Sequence, residues 1–210
     1  MFFWLMRAWL VPMAHILFRT KVENAENIPV TGPVMLVANH QSNLDPVFLS
    51  CGNPRRMFAM GKSELFESRI SGWFYGGLGA LPIDRGKPDR KGLKKILELF
   101  YQGYLVLVFP EGGRNHNPGL GLLEPGVVFL ADMTDAPILP AGITGSARII
   151  PPGKKLPRFP TVRVKFGRPF KLDEIYHRAE AKTAAEKKKR TEMIMERVRQ
   201  EIMALSDDAY

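Results

Sequence analysis

The sequence predicts an α/β fold, a single-domain sandwich in which helices flank a mostly parallel central sheet, with an N-terminal helix that lies in a membrane interface. Two observations support this. Short apolar runs alternate along the chain with longer segments of helical spacing, the pattern of strands joined by helices. The 210 residues contain no internal repeat or low-complexity linker that would divide them. We therefore expect an apolar segment at 1–18 and one folded domain at 19–210.

The N-terminal segment 1–18 is almost entirely apolar. A spanning helix needs roughly 20 mostly apolar residues, and this run is interrupted by Arg7, a proline and His15. No basic region precedes the run and no small-residue cleavage site follows it, which argues against a secretory signal. Arg7 and His15 lie about 80° apart on a helical wheel and could both face outward. We expect a helix lying in one leaflet, its two tryptophans at the headgroups; the alternative is a helix packed on the core.

The remaining elements follow from apolar periodicity. The predicted strands are 34–38, 56–60, 78–83, 104–109, 137–143 and 161–166. The predicted helices are one beginning at Asp45 and others at 64–75, 88–102, 124–134 and about 172–205. The run 104–109 is the clearest strand, and the C-terminal helix has an apolar stripe every three or four residues.

The net charge of +9 is unevenly distributed. Residues 174–210 carry eight basic and eight acidic side chains, so the excess lies upstream, mainly in 85–95 and in 148–172, which has no acidic residue. Such stretches attract lipid headgroups, nucleotides, an acidic carrier protein or nucleic acid, or simply keep the protein soluble. No nucleic-acid-binding motif accompanies them, so we expect no nucleic-acid partner. The single cysteine, Cys51, excludes an intramolecular disulfide and fits a reducing compartment.

The segment NHQSNLD, Asn39–Asp45, directly follows the first predicted strand. His40 is the best candidate for a general base, since an unperturbed imidazole has a pKa near ~6.5. Asp45 would accept from the far ring nitrogen and orient the ring, as the carboxylate does in a serine-protease triad. Asp45 followed by a proline is also a good helix N-cap, and both roles are possible if the loop folds back. No G-x-S-x-G elbow is present and Cys51 lacks a nucleophile signature, which favours direct attack by a bound alcohol.

The segment FPEGGR, Phe109–Arg114, follows the clearest strand. Gly112 and Gly113 permit a close backbone approach, so their N–H groups could face a phosphate or a thioester oxygen. Arg114 could form a bidentate contact with a phosphate, and Arg85 is a second candidate for phosphate binding. The alternative for FPEGGR is a turn that carries a surface arginine. Because strand ends build the site of an open α/β sheet, the two segments together indicate acyl transfer to a phosphorylated alcohol. The four histidines show no metal-ligand spacing, so no metal is expected.

These residues resemble the 1-acylglycerol-3-phosphate acyltransferase family and its glycerolipid relatives over roughly 20–170. The first family block, H-x-x-x-x-D, matches His40 and Asp45, and the second matches GALPIDR at 79–85, which ends at Arg85. The third block matches FPEGGR at 109–114, with Glu111 and Arg114 at its acceptor-binding positions. A fourth block resembles PILP at 137–140, on the acyl-binding side. The arginine of the second block is implicated in binding the glycerol phosphate.

Two positions depart from the family pattern. Gly113 stands where relatives usually have Thr or Ser, and Glu124-Pro125-Gly126 stands where relatives commonly carry a basic residue before the glycine. Both departures concern the choice of acceptor more than the reaction itself.

The resemblance implies that a fatty acyl group passes from an acyl thioester to the sn-2 hydroxyl of 1-acylglycerol 3-phosphate (lysophosphatidate), giving phosphatidate in phospholipid biosynthesis. Neither metal nor cofactor is implied; the co-substrate is acyl-CoA or acyl-acyl carrier protein. The expected setting is an anionic membrane surface at the cytoplasmic face of the cell membrane. The alternatives are a same-fold enzyme acting on glycerol 3-phosphate or another lyso-lipid, and a non-catalytic lipid-binding protein.

Overall fold

The computed structural model describes residues 2–83, 89–115, 120–151, 153–154 and 156–206. Within these ranges the strands are β1 (Lys21–Glu23), β2 (Val34–Ala38), β3 (Met57–Lys62), β4 (Ala80–Ile83), β5 (Leu105–Val108), β6 (Ile138–Thr144) and β7 (Arg163–Phe166). The α-helices there are α1 (Phe2–Phe18), α2 (Asp45–Gly52), α3 (Arg69–Gly77), α4 (Arg90–Tyr101), α5 (Gly126–Thr134) and α6 (Ala184–Leu205).

In the described part of the chain the strands form one sheet in the order β1-β7-β6-β2-β5-β3-β4. The five strands from β6 to β4 are mutually parallel, while β7 runs antiparallel to β6 and pairs in parallel with β1. The predicted α/β fold with a mostly parallel sheet is therefore confirmed. β1 was not predicted, because a strand of three residues is too short to show a period.

Helices cover both faces of the sheet. Successive residues of β2 point to opposite faces, with Leu36 in the cluster beneath α1 and α2 and Val37 in the cluster beneath α4, α5 and α6. All five residues of β2 are fully buried. A strand buried on both faces is a continuous apolar run rather than an alternating one, which is why 34–38 was recognisable in the sequence.

The predicted helix at about 172–205 begins twelve residues later, at Ala184. A capping box starts it there: the Thr183 hydroxyl accepts from the Glu186 N–H at 3.2 Å, and the Glu186 carboxylate accepts from the Thr183 N–H at 2.7 Å. The preceding segment forms separate 3-10 turns, including Leu172–Glu174. The predicted helix at 64–75 is likewise divided, because Ser68 caps a new helix, α3, after a short 3-10 turn.

α1 packs one face against α2 and leaves the other exposed. Phe3, Ala14 and Phe18 are buried. The expectation that Arg7 faces outward is wrong: its Nη2 donates to the Ser50 and Asn53 carbonyls at 3.0 and 2.8 Å. Carbonyls at the end of a helix lack intrahelical partners, and this arginine satisfies two of them. None of the helices in the described ranges combines the length and apolar character needed to cross a bilayer.

Candidate active site

The candidate site lies where two central strands end side by side. β2 and β5 are parallel neighbours, with Val37 paired to Val108. The segments that follow them therefore leave the sheet at the same carboxyl edge, the usual place for a site in an open α/β sheet. Although 71 positions separate them in sequence, His40 and Glu111 are brought into direct contact.

His40 and Asp45 form the expected pair. The His40 Nδ1–H donates to Asp45 Oδ2 at 2.9 Å, and the Asp45 side chain is fully buried. The same oxygen accepts the backbone N–H groups of Gln41 at 2.7 Å and Ser42 at 2.8 Å. Because an ionised carboxylate can only accept hydrogen bonds, the ring hydrogen lies on Nδ1. Nε2 is therefore left as the acceptor for a substrate proton.

The loop between the two residues folds back, so Asp45 faces the chain that precedes it. The N-cap of α2 is Leu44, and Asp45 occupies the first helical position. The interpretation of Asp45 as the N-cap is therefore wrong. Its carboxylate binds N–H groups upstream of the helix instead of those in the first turn.

The imidazole is also held by an aromatic ring. Phe109 stacks on His40 with ring centroids 3.8 Å apart and an angle of 10° between the planes. Only 13% of the His40 side chain is exposed. The ring is thus fixed by Asp45 at one edge and by Phe109 on one face, which orients Nε2.

Glu111 binds backbone groups with both carboxylate oxygens. Oε1 accepts the His40 N–H at 2.9 Å, and Oε2 accepts the Gly121 N–H at 2.9 Å. The His40 carbonyl accepts the Asn115 N–H at 2.8 Å, which ties the same two segments together again. Glu111, expected from the resemblance at an acceptor-binding position, thus forms a bridge that sets the position of the His40 backbone.

The glycine turn is tighter than the sequence suggested. Gly112 has φ of 66°, a conformation that favours glycine, and its N–H donates to the Phe109 carbonyl at 3.1 Å. The Gly112 N–H is therefore already used within the turn, and the expectation that it faces a ligand oxygen is wrong. Gly113 and Arg114, by contrast, border the same cavity as His40.

This cavity has a volume of about 510 Å³ and opens beside the His40 ring. Its lining comprises His40, Asn43, Pro46, Ala59, Met60, Gly61, Lys62, Leu65, Tyr75, Ala80, Phe109, Gly113 and Arg114. Lys62, at the end of β3, is a cation that was not predicted to belong to the site. Nothing in the local sequence marks it, because only the order of the strands places β3 beside β5.

A smaller, mainly apolar cavity of about 120 Å³ continues from the first one beneath α1. The two share Asn43, Pro46, Ala59, Tyr75 and Ala80. The smaller one is closed by side chains of α1, including Phe3, Leu10 and Val11. The cavity at the histidine therefore adjoins a smaller and more apolar one under the N-terminal helix.

Two further expectations concern Arg85 and the fourth block, PILP at 137–140. Arg85 lies outside the described residues. Ile138 and Leu139 of the fourth block are fully buried in β6 and border neither cavity. One further residue was missed: buried Asn39 donates to the Ile143 carbonyl at 2.9 Å and accepts the Ile143 N–H at 2.8 Å, fastening the His40 segment to β6.

Comparison with known proteins identifies the family. The family model described as acyltransferase matches residues 19–144. A 1-acyl-sn-glycerol-3-phosphate acyltransferase of Bacillus subtilis is 30% identical over 158 residues, covering 75% of this chain and 76% of the relative. The chloroplast enzyme of that name from Arabidopsis thaliana is 30% identical over 186 residues, covering 85% and 52%.

The chain spans about half the length of several relatives, including those of Arabidopsis thaliana and Streptococcus pneumoniae. The crystal structure of PlsC, the 1-acyl-sn-glycerophosphate acyltransferase of Thermotoga maritima, has the same fold, with a TM-score of 0.68 at 23% identity, covering 93% of this chain and 80% of that one. Because the family model matches residues 19–144 and the Bacillus subtilis relative is 30% identical, this chain belongs to the acyltransferase family that includes the 1-acyl-sn-glycerol-3-phosphate acyltransferases.

Proposed function

We propose that this protein transfers a fatty acyl group from an acyl thioester to the sn-2 hydroxyl of 1-acylglycerol 3-phosphate, giving phosphatidate in phospholipid biosynthesis. The observation that carries this proposal is the oriented His40–Asp45 pair at the wall of a cavity that also contains Lys62 and Arg114. The names of the relatives supply the substrate class.

In the proposed reaction His40 Nε2 removes the proton of the acceptor hydroxyl. The hydroxyl oxygen attacks the thioester carbonyl carbon, a C–O bond forms, and the C–S bond breaks. The leaving thiolate takes the proton back from the imidazolium, so the histidine is regenerated and the products are an ester and a free thiol. Asp45 stabilises the imidazolium during this cycle. Of the two glycines, Gly113 is the remaining candidate to face the oxyanion, because the Gly112 N–H is used in the turn.

Cations at the cavity suit an anionic acceptor. Arg114 is exposed and can present a planar fork to a phosphate, and Lys62 offers a second charge from β3. The resemblance adds Arg85 to these. Two or three cations around one cavity fit the phosphomonoester of 1-acylglycerol 3-phosphate, which carries up to two negative charges near neutral pH.

The apolar cavity under α1, with a volume of about 120 Å³, suits part of an acyl chain. It borders the same residues as the His40 cavity and is lined mainly by carbon atoms. A fatty acyl thioester bound with its carbonyl at His40 would direct its tail there. Neither a metal nor a cofactor has a role in this scheme; coenzyme A or acyl carrier protein takes part as the carrier of the acyl group.

The exposed face of α1 supports attachment to a membrane. Six large apolar side chains lie on it at 38–76% exposure, namely Trp4, Leu5, Trp9, Met13, Ile16 and Leu17. We propose that this face rests in one leaflet, as expected for an interfacial helix. The acyl donors of the scheme are cytoplasmic, so the proposed location is the cytoplasmic face of the cell membrane.

Product analysis tests the proposed function. Purified protein is incubated with palmitoyl-CoA or palmitoyl-acyl carrier protein and, separately, with 1-acylglycerol 3-phosphate, glycerol 3-phosphate or lysophosphatidylethanolamine, and the lipids are identified by mass spectrometry. We expect phosphatidate from the first acceptor. Preference for one of the other acceptors would replace the assigned substrate, and no product with any donor and acceptor would favour the non-catalytic alternative.

A further inference from the structure

The segment 148–160 combines exposed apolar side chains with a local excess of positive charge. Ile150, Leu156 and Phe159 are 55%, 81% and 50% exposed. The basic residues of the segment are Arg148, Lys154, Lys155 and Arg158, and the segment contains no acidic residue. Large exposed apolar side chains next to cations are typical of a surface that lies on an anionic membrane.

The segment is attached to the C-terminal end of α1. The Phe159 ring lies 5.5 Å from the Phe18 ring, and Arg19 Nη2 donates to the Phe159 carbonyl at 2.9 Å. The Phe18 carbonyl accepts the Val162 N–H at 3.0 Å. Ile16, whose side chain is 76% exposed, lies two residues before the end of α1. The C-terminal end of α1, which carries part of its apolar face, therefore adjoins the segment.

The base of the segment is closed by hydrogen bonds within it. The Arg158 N–H donates to the Ile149 carbonyl at 2.7 Å, and Ile149 is buried. The Lys154 N–H donates to the Pro151 carbonyl at 3.0 Å. Because its base is fixed in this way, the segment presents Leu156, Lys154 and Arg158 at a defined place on the protein.

The segment also lies at the edge of the sheet that carries the active site. It follows the carboxyl end of β6, which is parallel to β2, and Asn39 of the His40 segment is hydrogen-bonded to Ile143 of β6. A membrane bound to this segment would face the sheet edge from which His40 opens into its cavity.

We propose that residues 148–151, 153–154 and 156–160 form a second membrane contact, which binds an anionic leaflet beside α1. A nucleic acid would match the charges but offers no lipid-like surface to Ile150 and Leu156, whereas the interface of a bilayer accepts both kinds of side chain. Buried apolar area and attraction to anionic lipids both strengthen interfacial binding, and this pair supplies an apolar helix and a basic segment.

Vesicle binding by the full chain tests this proposal and does not depend on activity. The variant Arg148→Gln/Lys154→Gln/Arg158→Gln removes three exposed charges from the segment, and Lys182→Gln/Lys187→Gln/Lys189→Gln removes three exposed charges near the start of α6 as a control. Sedimentation is measured with phosphatidylcholine vesicles with and without 30 mol% phosphatidylglycerol (about that fraction gives a strongly anionic surface). Circular dichroism checks that both variants are folded.

We expect the segment variant to lose about 100-fold in affinity for the anionic vesicles, since each basic residue contributes about fivefold. The control variant should lose much less, and binding to neutral vesicles should change in neither. Equal losses in the two variants would mean that only net charge matters and would overturn the proposal. Unchanged vesicle binding by the segment variant would also overturn the proposal, and so would weakened binding of acyl carrier protein at unchanged vesicle binding.

A second measurement tests insertion of the apolar side chains. Leu156→Cys in a Cys51→Ser background is labelled with an environment-sensitive fluorophore. We expect its emission to shift to the blue when anionic vesicles are added, as the label leaves water for the interface. A label at Lys188→Cys on α6, in the same background, should not shift. An unshifted label at 156 would contradict the proposal.

Discussion

Glu111 Oε1 accepts the backbone N–H of His40 at 2.9 Å, so the residue that carries the proposed base is fixed from the adjacent strand. The other carboxylate oxygen holds the Gly121 N–H at the same distance. Asp45 orients the imidazole ring, while Glu111 sets the position of the backbone to which the ring is attached. A displacement of the ring by about 1 Å would be costly, since such errors reduce catalysis by up to ~10².

Glu111→Gln should therefore act on turnover. The glutamine side chain has the same shape as glutamate, but it has one oxygen to accept the two N–H groups of His40 and Gly121. Its NH₂ group would face the other N–H, and the two donors would repel each other. We expect kcat to fall about 10- to 100-fold while KM for the acceptor changes little. Steady-state kinetics with the acceptor varied measures both, with Glu192→Gln on the exposed face of α6 as the control. A large rise in acceptor KM at unchanged kcat would instead indicate that Glu111 binds the acceptor directly.

Arg114→Ala and Lys62→Ala should weaken acceptor binding. Both side chains border the cavity beside His40, and each would lose a charge-assisted contact to the phosphate. We expect acceptor KM to rise about tenfold or more for Arg114→Ala, and less for Lys62→Ala, because a lysine makes no bidentate contact. The KM for the acyl donor, measured with the same variants, serves as an internal control. An acceptor KM equal to that of the wild type would remove the residue from the phosphate site.

Ala80→Leu should alter the preference for acyl chain length. Ala80 borders both cavities, and a larger side chain there narrows the path between them. We expect kcat/KM for palmitoyl-CoA to fall more than kcat/KM for octanoyl-CoA, with Ala185→Leu on the surface of α6 as the matched control. Equal losses for both donors would mean that the apolar cavity does not hold the acyl chain.

Cys51 should be unreactive in the folded protein. Burial raises the pKa of its thiol from 9.0 to about 11, against a smaller opposing effect of Arg7. At pH 8 the thiolate is then about 100-fold rarer than in the unfolded chain. Iodoacetamide labelling followed by mass spectrometry should be slow in buffer and fast in urea.

The same shift makes stability depend on pH. The unfolded thiol ionises near its ordinary pKa while the folded thiol stays protonated. The contribution of Cys51 to the free energy of unfolding is therefore complete below about pH 9 and falls as pH rises towards 11. Labelling at equal rates in buffer and urea would contradict this environment for Cys51.

The sequence was sufficient to predict the layers of the fold and the pair His40 and Asp45. β2 lies where its apolar run predicts, and both site segments begin at strand ends. The late start of α6 was also readable in principle from the capping-box residues Thr183 and Glu186. Local patterns of this kind are governed by neighbouring residues, which the sequence displays directly.

The remaining features depend on strand order, which local patterns do not contain. Lys62 reaches the cavity only because β3 lies beside β5. Glu111 contacts the His40 backbone only because β5 lies beside β2. Arg7 faces α2 instead of water because two carbonyls at the end of that helix lie within reach.

The most direct test of the account is acceptor-dependent thiol release by wild type and by His40→Ala. Release of free thiol from palmitoyl-CoA and from palmitoyl-acyl carrier protein is followed with and without 1-acylglycerol 3-phosphate. We expect release in the wild type to require the acceptor and to fall by about 10² or more in the variant, the usual contribution of a general base. A folded His40→Ala protein that turned over at the wild-type rate would contradict the central claim that His40 is the base.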